Sequence, residues 1–85
     1  MIKIFSKDSC SYCDLAKNLI TSLWFEYEVI DVSNDFEKMN EIISISWMMT
    51  VPQIFKNEIT KEDLIWGYLD ILKLNEEWKL IELLK

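Results

Sequence analysis

One glycine and one proline in 85 residues leave this chain almost no material for long irregular loops, because those two residues supply most sharp turns. Its connections must be short and its elements nearly continuous. The apolar pattern reads accordingly. Ile2-Lys3-Ile4-Phe5 is a short apolar run suited to a buried strand. Residues 6–11 are polar and turn-like. From Ser11 onward Leu15, Leu19, Ile20 and Leu23 recur at the spacing of one helix face. Residues 25–32 interleave aromatic and β-branched side chains with acids, which predicts a second strand. Ser33, Asn34 and Asp35 offer N-caps for a helix that carries Phe36, Met39, Ile42 and Ile43 and ends near Trp47.

Thr50-Val51-Pro52-Gln53-Ile54-Phe55 predicts a third strand. Pro52 has no N–H to donate, so it fits the start of a strand and not the middle of a ladder. The charged residues 56–63 read as a hairpin connection, Leu64-Ile65-Trp66 as the returning strand and Gly67 as punctuation. Beyond it Leu69, Ile71, Leu72, Leu74, Trp78 and Ile81 mark one long helix, or two short ones with a break at Asn75. Thr60 with Asp63 would allow a helix to start near Lys61 instead. That parse buries Gly67 mid-helix at about 1 kcal/mol against alanine, so the strand is preferred. Trp78, spaced with Leu74 and Ile81, is expected in the core. Trp47-Met48-Met49 reads either as a partner-docking patch or as the end of an amphipathic helix tucked into the core, and the second reading is preferred.

The resulting order, β-α-β-α-β-β-α, is an α/β arrangement: a small central mixed sheet with helices packed on it, forming a single domain over residues 1–85. The formal charge of −6 and the scatter of nine lysines argue against nucleic acid as a partner. Arginine and histidine are absent, which removes bidentate anion clamps and the commonest general base and metal ligand. No window approaches the roughly 18–20 apolar residues of a membrane span. The N-terminal apolar run is too short for a secretory signal. The expectation is a monomer in a reducing cytoplasm, where a permanent structural disulfide is disfavoured. The Ile- and Lys-rich, Arg-free composition suits an AT-rich coding sequence, such as a viral one, in which case the compartment is the host cytoplasm.

Cys10-Ser11-Tyr12-Cys13 is the most informative local signal. It falls where the first strand and its loop give way to a helix. At a helix N-terminus Cys10 meets unpaired backbone N–H groups and the positive end of the dipole, which stabilise a thiolate. Cys13, one turn on, can reach the sulfur of Cys10 once a mixed disulfide has formed. Lys7 adds a cation; Asp8 and Asp14 oppose it. A structural zinc site takes about four ligands, and this chain supplies two cysteines. The polar flanks Ser9 and Ser11 argue against a pair of inert, buried thiols.

With these motifs the sequence resembles the glutaredoxin family of the thioredoxin-like fold along nearly its whole length. Ile4-Phe5-Ser6-Lys7-Asp8-Ser9-Cys10-Ser11-Tyr12-Cys13 is similar to that family's first strand, its glutathione-contacting lysine and its Cys-Pro-Tyr-Cys site, and Asp14-Leu15-Ala16-Lys17 continues the match. Thr50-Val51-Pro52-Gln53-Ile54-Phe55 resembles its Thr-Val-Pro loop, whose proline is cis and whose preceding residue pairs with the glutathione backbone. Trp66-Gly67-Tyr68-Leu69-Asp70 stands where the family has Gly-Gly-x-Asp-Asp, keeping one glycine and one acid. The resemblance implies Cys10 as nucleophile and Cys13 as resolving thiol. It implies a glutathione site at Lys7, Tyr12, Thr50, Val51, Pro52, Gly67, Tyr68 and Leu69. Glutathione would be the electron donor, with no tightly bound cofactor, and the substrates would be disulfide-containing proteins, ribonucleotide reductase among them. Ser11 in place of the usual proline is shared with some members that hold a [2Fe–2S] cluster between two subunits. In such a dimer Cys10 would be a cluster ligand. Trp66-Gly67-Tyr68 and the missing basic residue before Thr50 also suit redoxins that are reduced by thioredoxin reductase.

Overall fold

Strand β1 (Ile2–Ser6) is the spine of the sheet in the computed structural model, which describes residues 1–85. On one side it pairs parallel with β2 (Tyr27–Asp31), Ile4 facing Val29. On the other it pairs antiparallel with β3 (Gln53–Phe55), Ile4 facing Ile54. Antiparallel pairing of β3 with β4 (Leu64–Trp66) completes the four-stranded order β2-β1-β3-β4. The β1–β2 connection is helix α1 (Ser11–Ser22), as a parallel crossover requires. Helix α2 (Phe36–Ser46) links β2 to β3, while α3 (Tyr68–Glu76) and α4 (Leu80–Leu84) follow β4.

Strand side chains alternate between two faces, so the sheet divides the core into two layers. Ile2, Ile4, Ile54 and Ile65 join Ala16, Ile20, Ile71, Leu80 and Leu84 from α1, α3 and α4. Phe5, Phe55 and Leu64 face the opposite way and meet Val32 with Met39 and Ile42 of α2. Phe5 and Phe55 pack edge to face at 5.6 Å between centroids. Strand β2 is the half-buried edge. Its acids face solvent, and Glu28 reaches Lys3 at 3.8 Å.

The mixed four-stranded α/β sheet matches the architecture expected from the sequence. Several side chains do not match. Trp78 is 86% exposed and Ile81 is also exposed, because α3 stops at Glu76 and the helical phase restarts at Lys79. Leu80 and Leu84 fill the core instead. Trp47 is 79% exposed: it lies past the last turn of α2, in left-handed backbone that turns it out of the amphipathic face. Phe36, at the first position of α2, is exposed for a similar end effect. The buried stripe of α1 runs through Cys13, Ala16 and Ile20, with Leu19 and Leu23 flanking it and Leu15 exposed. The third strand begins at Gln53, and residues 50–52 approach it as loop. Residues 56–63 are turns and not the start of a helix. Asp63 closes them, its carboxylate accepting from the Glu58 N–H at 2.6 Å and its carbonyl from the Lys56 N–H at 2.8 Å. No helix is long and apolar enough to cross a membrane.

Candidate active site

Three segments distant in sequence converge beside Cys10: the start of α1, the loop before β3 and the start of α3. Cys10 is the N-cap of α1, in extended backbone, and its Sγ accepts the Cys13 N–H at 3.1 Å. A cysteine sulfur thus takes the position usually held by a serine or aspartate oxygen. A thiolate there receives a charge-assisted hydrogen bond and sits at the positive end of the helix dipole. Asp14 in the same first turn is paired with Lys17 at 3.2 Å, which offsets its opposing charge.

Cys10 and Cys13 are joined by a disulfide, with Cα atoms 5.2 Å apart. The two sulfurs are unequal in access. Cys10 is partly exposed, whereas Cys13 is fully buried under the first turn of α1. The polar flanks did correspond to access at Cys10, but they gave a wrong expectation for Cys13: one turn into the helix, position 13 points into the core with Ala16 and Ile20. Facing Cys10 Sγ at 3.8 Å is the Val51 carbonyl oxygen. The contact becomes an S–H···O hydrogen bond when Cys10 is a protonated thiol.

The Val51–Pro52 peptide bond is cis. The loop that carries it is held from below by Gln53. That side chain is fully buried, and its Nε2 donates to the carbonyls of Met48 at 2.8 Å and Thr50 at 3.0 Å. On the third side Gly67 caps α3, and the Asp70 carboxylate accepts the Gly67 N–H at 3.1 Å. A Cβ on Gly67 would stand 3.4 Å from the Pro52 carbonyl oxygen, in ordinary van der Waals contact. Tyr12 and Tyr68 bring the two helix starts together, ring centroids 5.7 Å apart.

Between these segments runs an open groove of about 320 Å³. Tyr12, Thr50, Val51, Pro52, Gly67, Tyr68 and Leu69 line it, all residues singled out from sequence. Met48 and Asp70 also line it and were missed in that set. For Asp70 a usable signal existed, since it stands three residues after Gly67, the spacing of a cap and its N3 acid. Lys7 does not line the groove. It lines a smaller pocket with Val32, Ser33 and Phe36. Its loop is anchored there by the Asp8 N–H donating to Ser33 Oγ at 2.8 Å. The Ser33 side chain first, and then its N–H donating to Asp31 at 2.8 Å, hold that carboxyl below the usual carboxylate range. A further depression of about 380 Å³ along β4, α3 and α4 shares only Asp70 with the groove. No group of three or more Cys, Asp or Glu converges as a metal site within the chain.

Comparison with known proteins agrees with this geometry. The family model described as Glutaredoxin matches residues 2–59. The mitochondrial glutaredoxin-2 of Rattus norvegicus is 34% identical over 85 residues, an alignment covering 96% of this chain and 52% of that protein. The chain therefore spans about half the length of the curated relatives it matches first. In three dimensions the solution structure of glutaredoxin from Brucella melitensis superposes with a TM-score of 0.81 at 32% identity, covering 99% of this chain and 87% of that one. A buckwheat glutaredoxin–glutathione complex shares the fold with a TM-score of 0.83 at 23% identity, covering 98% and 74% of the two chains. From the matched residues and the full-length relatives together, the chain belongs to the glutaredoxin family.

Proposed function

We propose that the protein is a glutathione-dependent thiol–disulfide oxidoreductase that reduces protein disulfides and glutathione mixed disulfides. The observation that carries this reading is the asymmetric cysteine pair: Cys10 accessible at a helix N-terminus, Cys13 buried beneath it and within bonding reach. The Cys10 thiolate attacks one sulfur of a substrate disulfide, forming a mixed disulfide and releasing the other sulfur as a thiolate that takes up a proton. The Cys13 thiol then loses its proton and attacks Cys10 Sγ. The second substrate sulfur leaves, and the Cys10–Cys13 disulfide forms. Two glutathione thiols restore the reduced enzyme. The first bonds to Cys10 and frees Cys13; the second attacks the bound glutathione sulfur and departs with it as glutathione disulfide.

The groove supports glutathione as donor. Its Thr50-Val51-Pro52 wall offers loop backbone to a peptide-like thiol, and Tyr12, Tyr68 and Leu69 offer apolar surface. We read Thr50, Val51, Pro52, Gly67, Tyr68, Leu69 and Tyr12 as glutathione contacts, with Asp70 at the rim. Lys7 borders a separate pocket, so its contact with glutathione rests on the family resemblance alone. Ribonucleotide reductase is one disulfide substrate that fits, and the chemistry suits a reducing compartment such as the cytoplasm.

The deciding experiment follows NADPH consumption with a small mixed disulfide, comparing glutathione plus glutathione reductase against thioredoxin reductase alone. Turnover with the glutathione system is expected. Turnover only with thioredoxin reductase would refute glutathione as donor while leaving the cysteine roles intact.

A further inference from the structure

Every tryptophan in the chain stands in left-handed backbone. The φ angle is 67° at Trp24, 62° at Trp47, 77° at Trp66 and 62° at Trp78. Ser9 is the sole other residue with positive φ, while Gly67, the one glycine, has a φ of −110°. In this region a Cβ crowds the following carbonyl oxygen, so glycine is the residue suited to it and a bulky side chain is an outlier. On the order of a few per cent of non-glycine residues adopt it. Four independent coincidences would be on the order of one in a million.

Three of the four are helix ends of the kind that glycine makes. After α1 the Trp24 N–H donates to the Thr21 carbonyl at 3.0 Å and the Phe25 N–H to the Ile20 carbonyl at 3.4 Å. After α3 the Trp78 N–H donates to the Asn75 carbonyl at 3.1 Å and the Lys79 N–H to the Leu74 carbonyl at 2.8 Å. Both pairs are complete Schellman motifs with tryptophan at the C′ position. After α2 a single bond, Trp47 N–H to the Ile43 carbonyl at 2.7 Å, makes the simpler left-handed cap. The fourth, Trp66, turns the chain from β4 into the Gly67 cap of α3.

Packing does not account for three of the indoles, while Trp66 is 43% exposed and borders the depression along β4, α3 and α4. Trp24 and Trp78 are 94% and 86% exposed, and Trp47 is 79% exposed with Lys61 Nζ over its ring at 3.8 Å. What all four share is the backbone conformation.

Four separate substitutions would each have had to install the largest side chain where a side chain fits worst. One codon assignment does it at a stroke. We propose that the polypeptide made in its own cell carries glycine at positions 24, 47, 66 and 78, each specified by a UGA codon that this cell reads as glycine. UGA differs from the glycine codon GGA by one base. A coding sequence biased toward A and T over G and C, which favours a U-first glycine codon, also fits a chain with nine lysines and no arginine. Five glycines then stand where one stands now, at every helix end that demands one and beside Gly67 at the rim of the groove.

Two measurements test this. The codons at the four positions, together with peptide masses of the protein purified from its own cells, should show UGA and glycine at all four. A UGG codon or a tryptophan mass at any of them overturns the proposal. Independently, Trp24→Gly and Trp78→Gly, both remote from the cysteines, should each raise the folded-to-unfolded ratio about two- to fivefold in urea unfolding. Trp24→Ala and Trp78→Ala should gain less, because alanine keeps the Cβ. Glycine variants no more stable than their tryptophan parent would remove the backbone basis of the inference.

Discussion

Asp70 holds the start of α3 to the groove, and its removal can be worked through in numbers. Its carboxylate accepts the Gly67 N–H at 3.1 Å, and the cap residue itself has no side chain to help. Asp70→Ala therefore leaves that N–H without a protein partner and removes the one acid in the first turn of α3. Loss of such a cap interaction costs about 1 kcal/mol, and because Gly67 is buried, its orphaned N–H can raise the cost to about 1–3 kcal/mol. In a domain of this size 1 kcal/mol lowers Tm by about 4–8 °C. Asp70→Asn keeps an acceptor and loses only the charge, whose interaction with the helix dipole is worth about 0.3–1 kcal/mol. It should fall between the parent and the alanine variant. Thermal and urea unfolding of the reduced proteins give the comparison. Steady-state kinetics add a separate readout: if the carboxylate also touches glutathione, both variants raise KM for glutathione with little change in kcat. An Asp70→Ala protein with the parent's Tm would refute the capping role, and an unchanged KM would refute the contact.

Cys10→Ser should abolish turnover, while Cys13→Ser should retain reduction of glutathione mixed disulfides and lose reduction of protein disulfides; activity surviving in Cys10→Ser would reverse the assignment. Gly67→Ala should fold, since its φ of −110° is open to any residue, and its Cβ would sit in van der Waals contact with the Pro52 carbonyl oxygen at 3.4 Å, adding a methyl to the groove wall. A raised KM for glutathione with stability changed by less than about 1 kcal/mol is the expected result, and an unchanged KM would show that the groove tolerates narrowing there. Ile54→Ala, at a fully buried position on the central strand pair, should cost about 2–5 kcal/mol; Ile54→Val should cost about 0.5–1.5 kcal/mol, and urea unfolding ranks them. Asp31 has its carboxyl held down by Ser33, so its contribution to stability is complete above its ordinary titration near pH 4 and is lost as the pH falls through its lower folded value. Ser33→Ala should flatten that acid limb, and an unaltered pH profile of stability would contradict it.

The order of elements along the chain and the cysteine site were legible because each rests on a local pattern. Alternation in Ile2-Lys3-Ile4-Phe5, the N-cap position of Cys10 and the missing N–H of Pro52 all act within a few residues. Convergence of residues 12, 50–52 and 67–69 on one groove is a tertiary fact, reached from the sequence only through family resemblance. The errors cluster at helix ends. Trp47 and Trp78 continue a helical spacing on paper, yet both follow the last turn, where the backbone reverses hand and throws the side chain outward. Glycine ordinarily signals such a reversal, and here tryptophan occupied its places. Lys7 escaped for another reason: which pocket its exposed side chain borders depends on how Ser33 ties down the neighbouring loop.

The groove's walls belong to units of unequal permanence. Cys10, Cys13 and the Pro52 loop are tied to β1 and β3 at the centre of the sheet, whereas Gly67, Tyr68 and Leu69 begin a nine-residue helix that rests on α1 and on the short α4. Opening of the α3–α4 end, a sub-global fluctuation that needs no disruption of the central strands, would dissolve one wall and leave the dithiol intact. Exchange with small, unrecognised thiols would persist in that state, while selection for a particular peptide thiol would not. Heating or mild denaturant should therefore erode the enzyme's discrimination between thiols before it erodes its capacity to cycle.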